Sequence, residues 1–242
     1  MNNAESNVPD EFPLNTMGPV LGRFSPPPPQ FDPTGPWENA YGVYTLIGTS
    51  RVGTLRLERK VNAGGRVTLD VRYEKGLTEG RQEVVGSMQL AGDGPLSTPV
   101  AWTFQSQVFD AAGDPVPYTR LKKSAMAGSD AIEIRDPRQT RRLPVRGPYT
   151  LNWALFDAVG RLPREKTEPL NFTLIDHFDQ LKPNQTLSFR KTTTVTVAGN
   201  PLRLHAYDQI GEGIVPWVYW VDNQGRLLLA VSGLEGYVWE QS

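Results

Sequence analysis

The sequence predicts a mainly β protein: one large, curved antiparallel sheet, a half-barrel, with one or two short helices over its concave face. Three observations carry that expectation. Apolar and polar residues alternate with a period of two through most of the chain from Tyr41 onward. Short turns rich in Asp, Asn and Gly separate the alternating runs. Two late runs, residues 218–221 and 227–231, are apolar at nearly every position, so something must cover both of their faces. A β-sandwich is the alternative that the same pattern allows.

The N-terminal stretch reads differently. Residues 1–36 carry Pro9, Pro13, Pro19, Pro26, Pro27, Pro28, Pro29, Pro33 and Pro36. Four consecutive prolines fix φ and remove backbone donors, which favours an extended rod. A disordered proline-rich arm over 1–36, dispensable for folding, is therefore expected ahead of a single β domain over 37–242. The arm reads as a spacer rather than as a ligand for a proline-recognising domain, because Arg23 is the one basic residue flanking the run.

Within the domain, Leu55 and Leu57 alternate with Thr54, Arg56 and Glu58, and Val67, Leu69, Val71 and Tyr73 alternate with polar neighbours. Asn62-Ala63-Gly64-Gly65 between them predicts a hairpin whose glycines take positive φ. Trp102, Phe104, Ser106 and Val108 form a third strand, running into the turn Asp110-Ala111-Ala112-Gly113-Asp114. Val195 and Val197, then Ala198-Gly199-Asn200, then Leu202, Leu204 and Ala206 predict a further hairpin. Asp222-Asn223-Gln224-Gly225 joins the two doubly apolar runs, with glycine where a type I turn closes in a bulge. About ten strands in an antiparallel meander follow from this pattern.

Residues 149–162 are the best helix candidate and the expected cover. Leu151, Leu155, Val159 and Leu162 share one helical face, with Trp153 and Phe156 beside it. A strand competes, since Tyr149, Leu151, Trp153 and Leu155 also alternate. Trp217 and Tyr219 are expected on one side of their strand and Trp220 on the other.

Composition excludes several functions. The chain has no cysteine, which removes disulfides, thiolate metal sites and a cysteine nucleophile. His177 and His205 are the only histidines, so a three-histidine zinc site is impossible. The formal net charge of −1 gives no global field for nucleic acid, and no aromatic platform interleaves the basic residues. No run is long and apolar enough to cross a bilayer as a helix, and residues 1–10 lack the pattern of a signal peptide. Neither a nucleophile elbow nor a glycine-rich phosphate loop is present, and no cofactor is implied.

Asp176-His177 could form a base with an orienting carboxylate, yet neighbours on a strand point to opposite faces, which argues against their pairing. His205 and Asp208 have helical spacing in a strand-like run. Arg138, Arg141, Arg142 and Arg146 belong to the one basic run, a candidate for docking an anionic partner and otherwise a solvated loop.

Phe172-Thr173-Leu174-Ile175-Asp176 and Trp220-Val221-Asp222-Asn223-Gln224-Gly225-Arg226-Leu227 carry a family resemblance. A strand ending in Leu-Ile-Asp, followed by a hairpin and a closing apolar strand, resembles exported bacterial proteins related in fold to the LolA/LolB lipoprotein carriers. The resemblance implies a half-barrel with an apolar cavity under a lid, and a periplasmic or otherwise exported location; a cytoplasmic one is the alternative. The expected role is a non-enzymatic cell-envelope protein that binds an apolar small molecule or lipid, with an envelope protein as a further partner. Trp153, Phe156, Trp102, Phe104, Trp217 and Tyr219 are the candidate ligand-binding residues. A carbohydrate-binding or carbohydrate-active β domain and a structural or assembly protein are the alternatives.

Overall fold

The structure, a computed structural model, describes residues 14, 17, 20, 25, 27–46, 50–92, 94–197 and 200–241. Among the described residues the strands are β1 (Trp37–Thr45), β2 (Arg51–Val61), β3 (Val67–Leu77), β4 (Gly80–Leu90), β5 (Pro99–Phe109), β6 (Leu121–Ala127), β7 (Ala131–Arg135), β8 (Thr140–Pro144) and β9 (Tyr149–Leu151). A helix α1 (Asn152–Ala158) and a single 3-10 turn (Val159–Arg161) follow. Then come β10 (Leu170–Asp176), β11 (Gln180–Val197), β12 (Asn200–Ile210), β13 (Trp217–Val221), β14 (Leu227–Ser232) and β15 (Glu235–Glu240).

All fifteen strands join one sheet in the order β8-β7-β6-β5-β4-β3-β2-β1-β15-β14-β13-β12-β11-β10-β9. Every neighbouring pair is antiparallel except β9 and β10. The expected curved antiparallel sheet is therefore present, and the sandwich is not. Three of the predicted turns share one device. Asn62, Asp110 and Asp222 each accept backbone N–H groups on the side-chain oxygen, and Gly65, Gly113 and Gly225 take positive φ three residues later. Gly64 does not share that conformation. Asn200 opens β12, while residues 198 and 199 of the predicted turn lie outside the described residues.

The sheet curls until its edges nearly meet. β8 and β9 lie at opposite edges, yet only residues 145–148 separate them in the chain, a reach of at most about 18 Å. Asp179 in the β10–β11 turn bonds Lys123 on β6 at 2.6 Å and also pairs with Arg141 on β8. Register shifts at β1–β2, β4–β5, β10–β11, β11–β12 and β13–β14 supply the bulges that bend strands this strongly.

Helix α1 lies inside the curl. Its rings meet rings from strands far apart in the sheet: Trp153 touches Tyr73 and Phe104, and Phe156 touches Tyr41, Tyr219 and Tyr237. Ala154, Leu155 and Ala158 are fully buried, and the helix's one acid, Asp157, is buried with them beside arginines. It is a plug in the core rather than a lid over a cavity. Both readings of residues 149–162 hold in part: Tyr149–Leu151 is a strand paired to β10, and the helix begins at Asn152. It stops early because Leu162 precedes Pro163 and is extended, at φ −72° and ψ 150°.

β13 and β14 are buried on both faces, as their composition required. The inner face packs on α1. A side chain at Gly236 would share the outer face with its cross-strand partner Val231, and it would meet Met17 at 3.3 Å. The outer cover therefore includes the N-terminal segment. Leu14, Met17 and Val20 are helical and three residues apart; the first two are fully buried, and the third packs on the same core. Farther along, Arg226 donates to the carbonyls of Pro28 at 2.9 Å and Gln30 at 3.0 Å and lies over the Phe31 ring. Arg59 donates to the carbonyls of Thr34 and Gly35. The expectation of an arm without packed structure does not describe these residues: apolar side chains three apart reach the core, and arginine donors serve the carbonyls of the proline-rich stretch.

Successive turns of an antiparallel meander fall at alternate ends of the barrel. Residues 27–36, the β13–β14 turn and the 3-10 turn close one end. There Asp157 is buried between Arg59 (Nε–Oδ1 2.9 Å) and Arg161 (2.6 Å) and accepts from Ser97 Oγ at 2.6 Å. The other end, with the β3–β4, β10–β11, β12–β13 and β14–β15 connections, is open.

Candidate functional site

A cavity of about 450 Å³ occupies the open end, beside the first residues of α1. Phe104 and Phe178 stack at 4.5 Å, and Trp153 lies tilted against both, at 5.7 and 6.1 Å. Tyr73 continues this wall from β3, 5.8 Å from Trp153. Trp217 and Tyr237 form the facing wall, 5.8 Å apart. The sheet positions these rings by simple alternation, and one glycine makes room: a Cβ at Gly86 would lie 2.0 Å from the Phe104 ring. The turns around the mouth expose Leu77, Val215 and Leu234, the last of them 69% accessible.

Polar groups share the walls, among them Lys75, Gln82, Asn152, Asp176, His177 and Glu235. Asp176 ends β10, accepts from Asn152 on α1, and lies 2.9 Å from His177 Nδ1. This pair corrects the sequence expectation: His177 is the first turn residue, at φ 47°, so strand alternation does not separate the two. The Asp176 bond raises the His177 pKa above its ordinary value. Burial pushes the Asp176 carboxyl up, but the bonds from His177 and Asn152 outweigh it and hold the group below its ordinary value. Across the cavity Glu235 faces Lys75 at 3.7 Å. Burial, then the Glu235 charge, pushes the Tyr237 hydroxyl well above its usual range.

Three of the six expected ligand residues, Trp153, Phe104 and Trp217, converge on this cavity. The other three do not line it. Phe156 is enclosed by tyrosine rings in the core, and Tyr219 is buried and donates to Gln209. Trp102 is buried opposite Met88 and Ala125. Phe178, Tyr73, Tyr237 and Glu235 belong to the site without having been singled out by sequence; they come from a turn and from strands that only the closure of the barrel brings together. Trp217 and Tyr219 do stack on one side, as alternation requires, with Trp220 buried on the other.

The basic run is split by the structure. Arg138, Arg142 and Arg146 are exposed, whereas Arg141 is drawn to Asp179 across the seam. Arg142 meets Asp130 at 3.1 Å on the surface. His205 is buried and engaged on both nitrogens, by Thr192 and Asn223 at 2.9 Å each, while Asp208 pairs with Arg190. A wider depression of about 730 Å³ lies outside the sheet over β2–β4. Its floor is charged, and Lys60 there pairs with Glu58 and Asp70, so it is a solvated face.

No protein-family model and no curated protein matches this chain. Its fold and site define a mainly β, barrel-like protein with a ring-lined cavity at one end. Among solved structures it is similar to a protein from Brucella abortus described as a beta-barrel-like protein of domain of unknown function DUF1849. The TM-score is 0.58 at 12% sequence identity, over 86% of this chain and 96% of that one. At this identity the likeness concerns the fold.

Proposed function

We propose that this chain is a non-enzymatic protein of the bacterial cell envelope that binds an apolar or lipid-like ligand. The observation that carries the reading is the cavity itself. Its volume falls in the range of small-molecule sites, and its walls combine aromatic rings with polar groups at one side, a lining that suits an amphiphile. Exposed Leu77, Val215 and Leu234 give an apolar ligand a route from its source into the mouth. The envelope placement rests on the sequence resemblance to the lipoprotein-carrier fold. A carbohydrate platform is less well supported, because none of the six tryptophans is an exposed stacking face.

N-phenyl-1-naphthylamine, a neutral apolar fluorophore, tests the proposal. It should bind with blue-shifted, enhanced emission. Trp153→Ala should weaken that binding severalfold, and Asp208→Ala, on the far side of the sheet fold, should leave it unchanged. Absence of binding to the native protein, or equal binding by both variants, would refute the ligand-binding reading.

A further inference from the structure

The cavity's charges and rings are not neutral about what kind of head an amphiphile brings. Glu235 Oε2 is buried without a hydrogen-bond partner of its own, the Tyr237 hydroxyl bonds the same carboxylate, and the nearest cation, Lys75 Nζ, stands 3.7 Å away. A buried carboxylate oxygen left this way costs free energy that a better-placed cation would recover. Around it stand the rings of Tyr73, Trp217 and Tyr237, with Trp153 against Tyr73. Ring faces carry negative potential and attract cations, the more so when water is excluded. An anionic head placed here would face both the Glu235 charge and the ring faces. The cavity's other cation, His177, is held by Asp176 and is 75% exposed, so it belongs to the mouth and not to the ring cluster.

Building on the ligand-binding reading above, we infer that the cavity takes an amphiphile with an organic cation as its head, an alkylammonium group seated on Glu235 among Tyr73, Trp153, Trp217 and Tyr237, with its chain directed along Phe104 and Phe178. Lys75 is the resident cation that the ligand displaces. The chain then lies along the Phe104 and Phe178 rings, and the head lies at the carboxylate whose nearest cation stands 3.7 Å away.

Three probes of one chain length separate this inference from the reading it rests on: dodecyltrimethylammonium, dodecanoate and dodecanol, each titrated below its critical micelle concentration against the full chain. The ammonium probe should bind at least tenfold more tightly than dodecanoate. Glu235→Gln should bring those two within about twofold and leave dodecanol unchanged. Lys75→Met, which frees Glu235, should tighten binding of the ammonium probe alone. Equal binding of all three probes, or preference for dodecanoate, overturns the cationic head while leaving an apolar site. An unchanged ammonium preference in Glu235→Gln, or a Lys75→Met variant that binds the ammonium probe no better, overturns Glu235 as its seat. Binding of none of the three refutes the ligand-binding reading and this inference with it.

Discussion

Replacing Asp157 by Asn should be among the most damaging conservative changes available to this protein. The Asp157 side chain is 1% exposed and Arg59 is 7% exposed, so the pair is removed from water on both sides. Asn keeps the shape and can still accept from Ser97, but it leaves the Arg59 guanidinium buried beside a neutral group. Removing one partner of a buried pair costs about 3–5 kcal/mol. For a chain of 242 residues the unfolding entropy is about 0.5 kcal/mol per degree, so the melting temperature should fall by roughly 6–10 °C. Calorimetry on Asp157→Asn, Arg59→Met and a double Arg59→Met/Asp157→Leu variant completes the assay. The double variant should recover most of the loss, because apolar groups of similar volume need no partner. A loss under 1 kcal/mol in Asp157→Asn, or a double variant no better than the single ones, would refute the view that this pair pins the helix plug to the sheet.

Other perturbations probe the remaining links. Deleting residues 1–36 removes Leu14 and Met17, each fully buried, and should cost about 3–6 kcal/mol, or roughly 6–12 °C; a change under 2 °C would mean the segment is dispensable. Gly86→Val should push the Phe104 ring from the cavity wall and weaken naphthylamine binding at least threefold, whereas unchanged affinity would remove Phe104 from the site. By NMR, His177 should titrate above 6.5 and return toward it in Asp176→Asn. Because its folded pKa is raised, its stabilising contribution is fully present below the unfolded value of 6.5 and fades as pH rises through the folded value. Asp176 is depressed, so its own contribution is lost as pH falls below 3.8 through the folded value. A His177 value that ignores Asp176 would contradict the pairing. Finally, Arg138→Ser and Arg142→Ser should each change stability by less than about 0.5 kcal/mol, while Arg141→Ser, which strips a seam contact from Asp179, should cost about 1 kcal/mol; equal effects would argue against a closed seam.

Much of the sheet was legible because alternation and turn chemistry are local. Asn62, Asp110 and Asp222, each followed by glycine three residues on, announced three hairpins, and the doubly apolar β13 and β14 announced cover on both faces. What covered them was less legible. The three-residue spacing of Leu14, Met17 and Val20 was the available signal, and nine prolines obscured it. β4, β6 and β8 were missed because Gln, Lys, Ser and Arg interrupt them, β7 because its alternation spans five residues, and β8 is also a short edge. The cavity was half visible. Trp153, Phe104 and Trp217 could be singled out as large rings on alternating faces. Phe178 sits in a turn at φ 75°, and Glu235 opens an apolar strand, so neither shows its role until fifteen strands curl around one helix.

The most direct test is a crystal of the full chain grown with 12-bromododecanol and measured at the bromine absorption edge. The uncharged head keeps the result independent of the head-group inference. An apolar-ligand protein predicts one anomalous peak inside the barrel's open end, enclosed by Tyr73, Phe104, Trp153 and Trp217. Bromine found only on the outer surface, or that space filled by repacked side chains at saturating probe, would contradict the account.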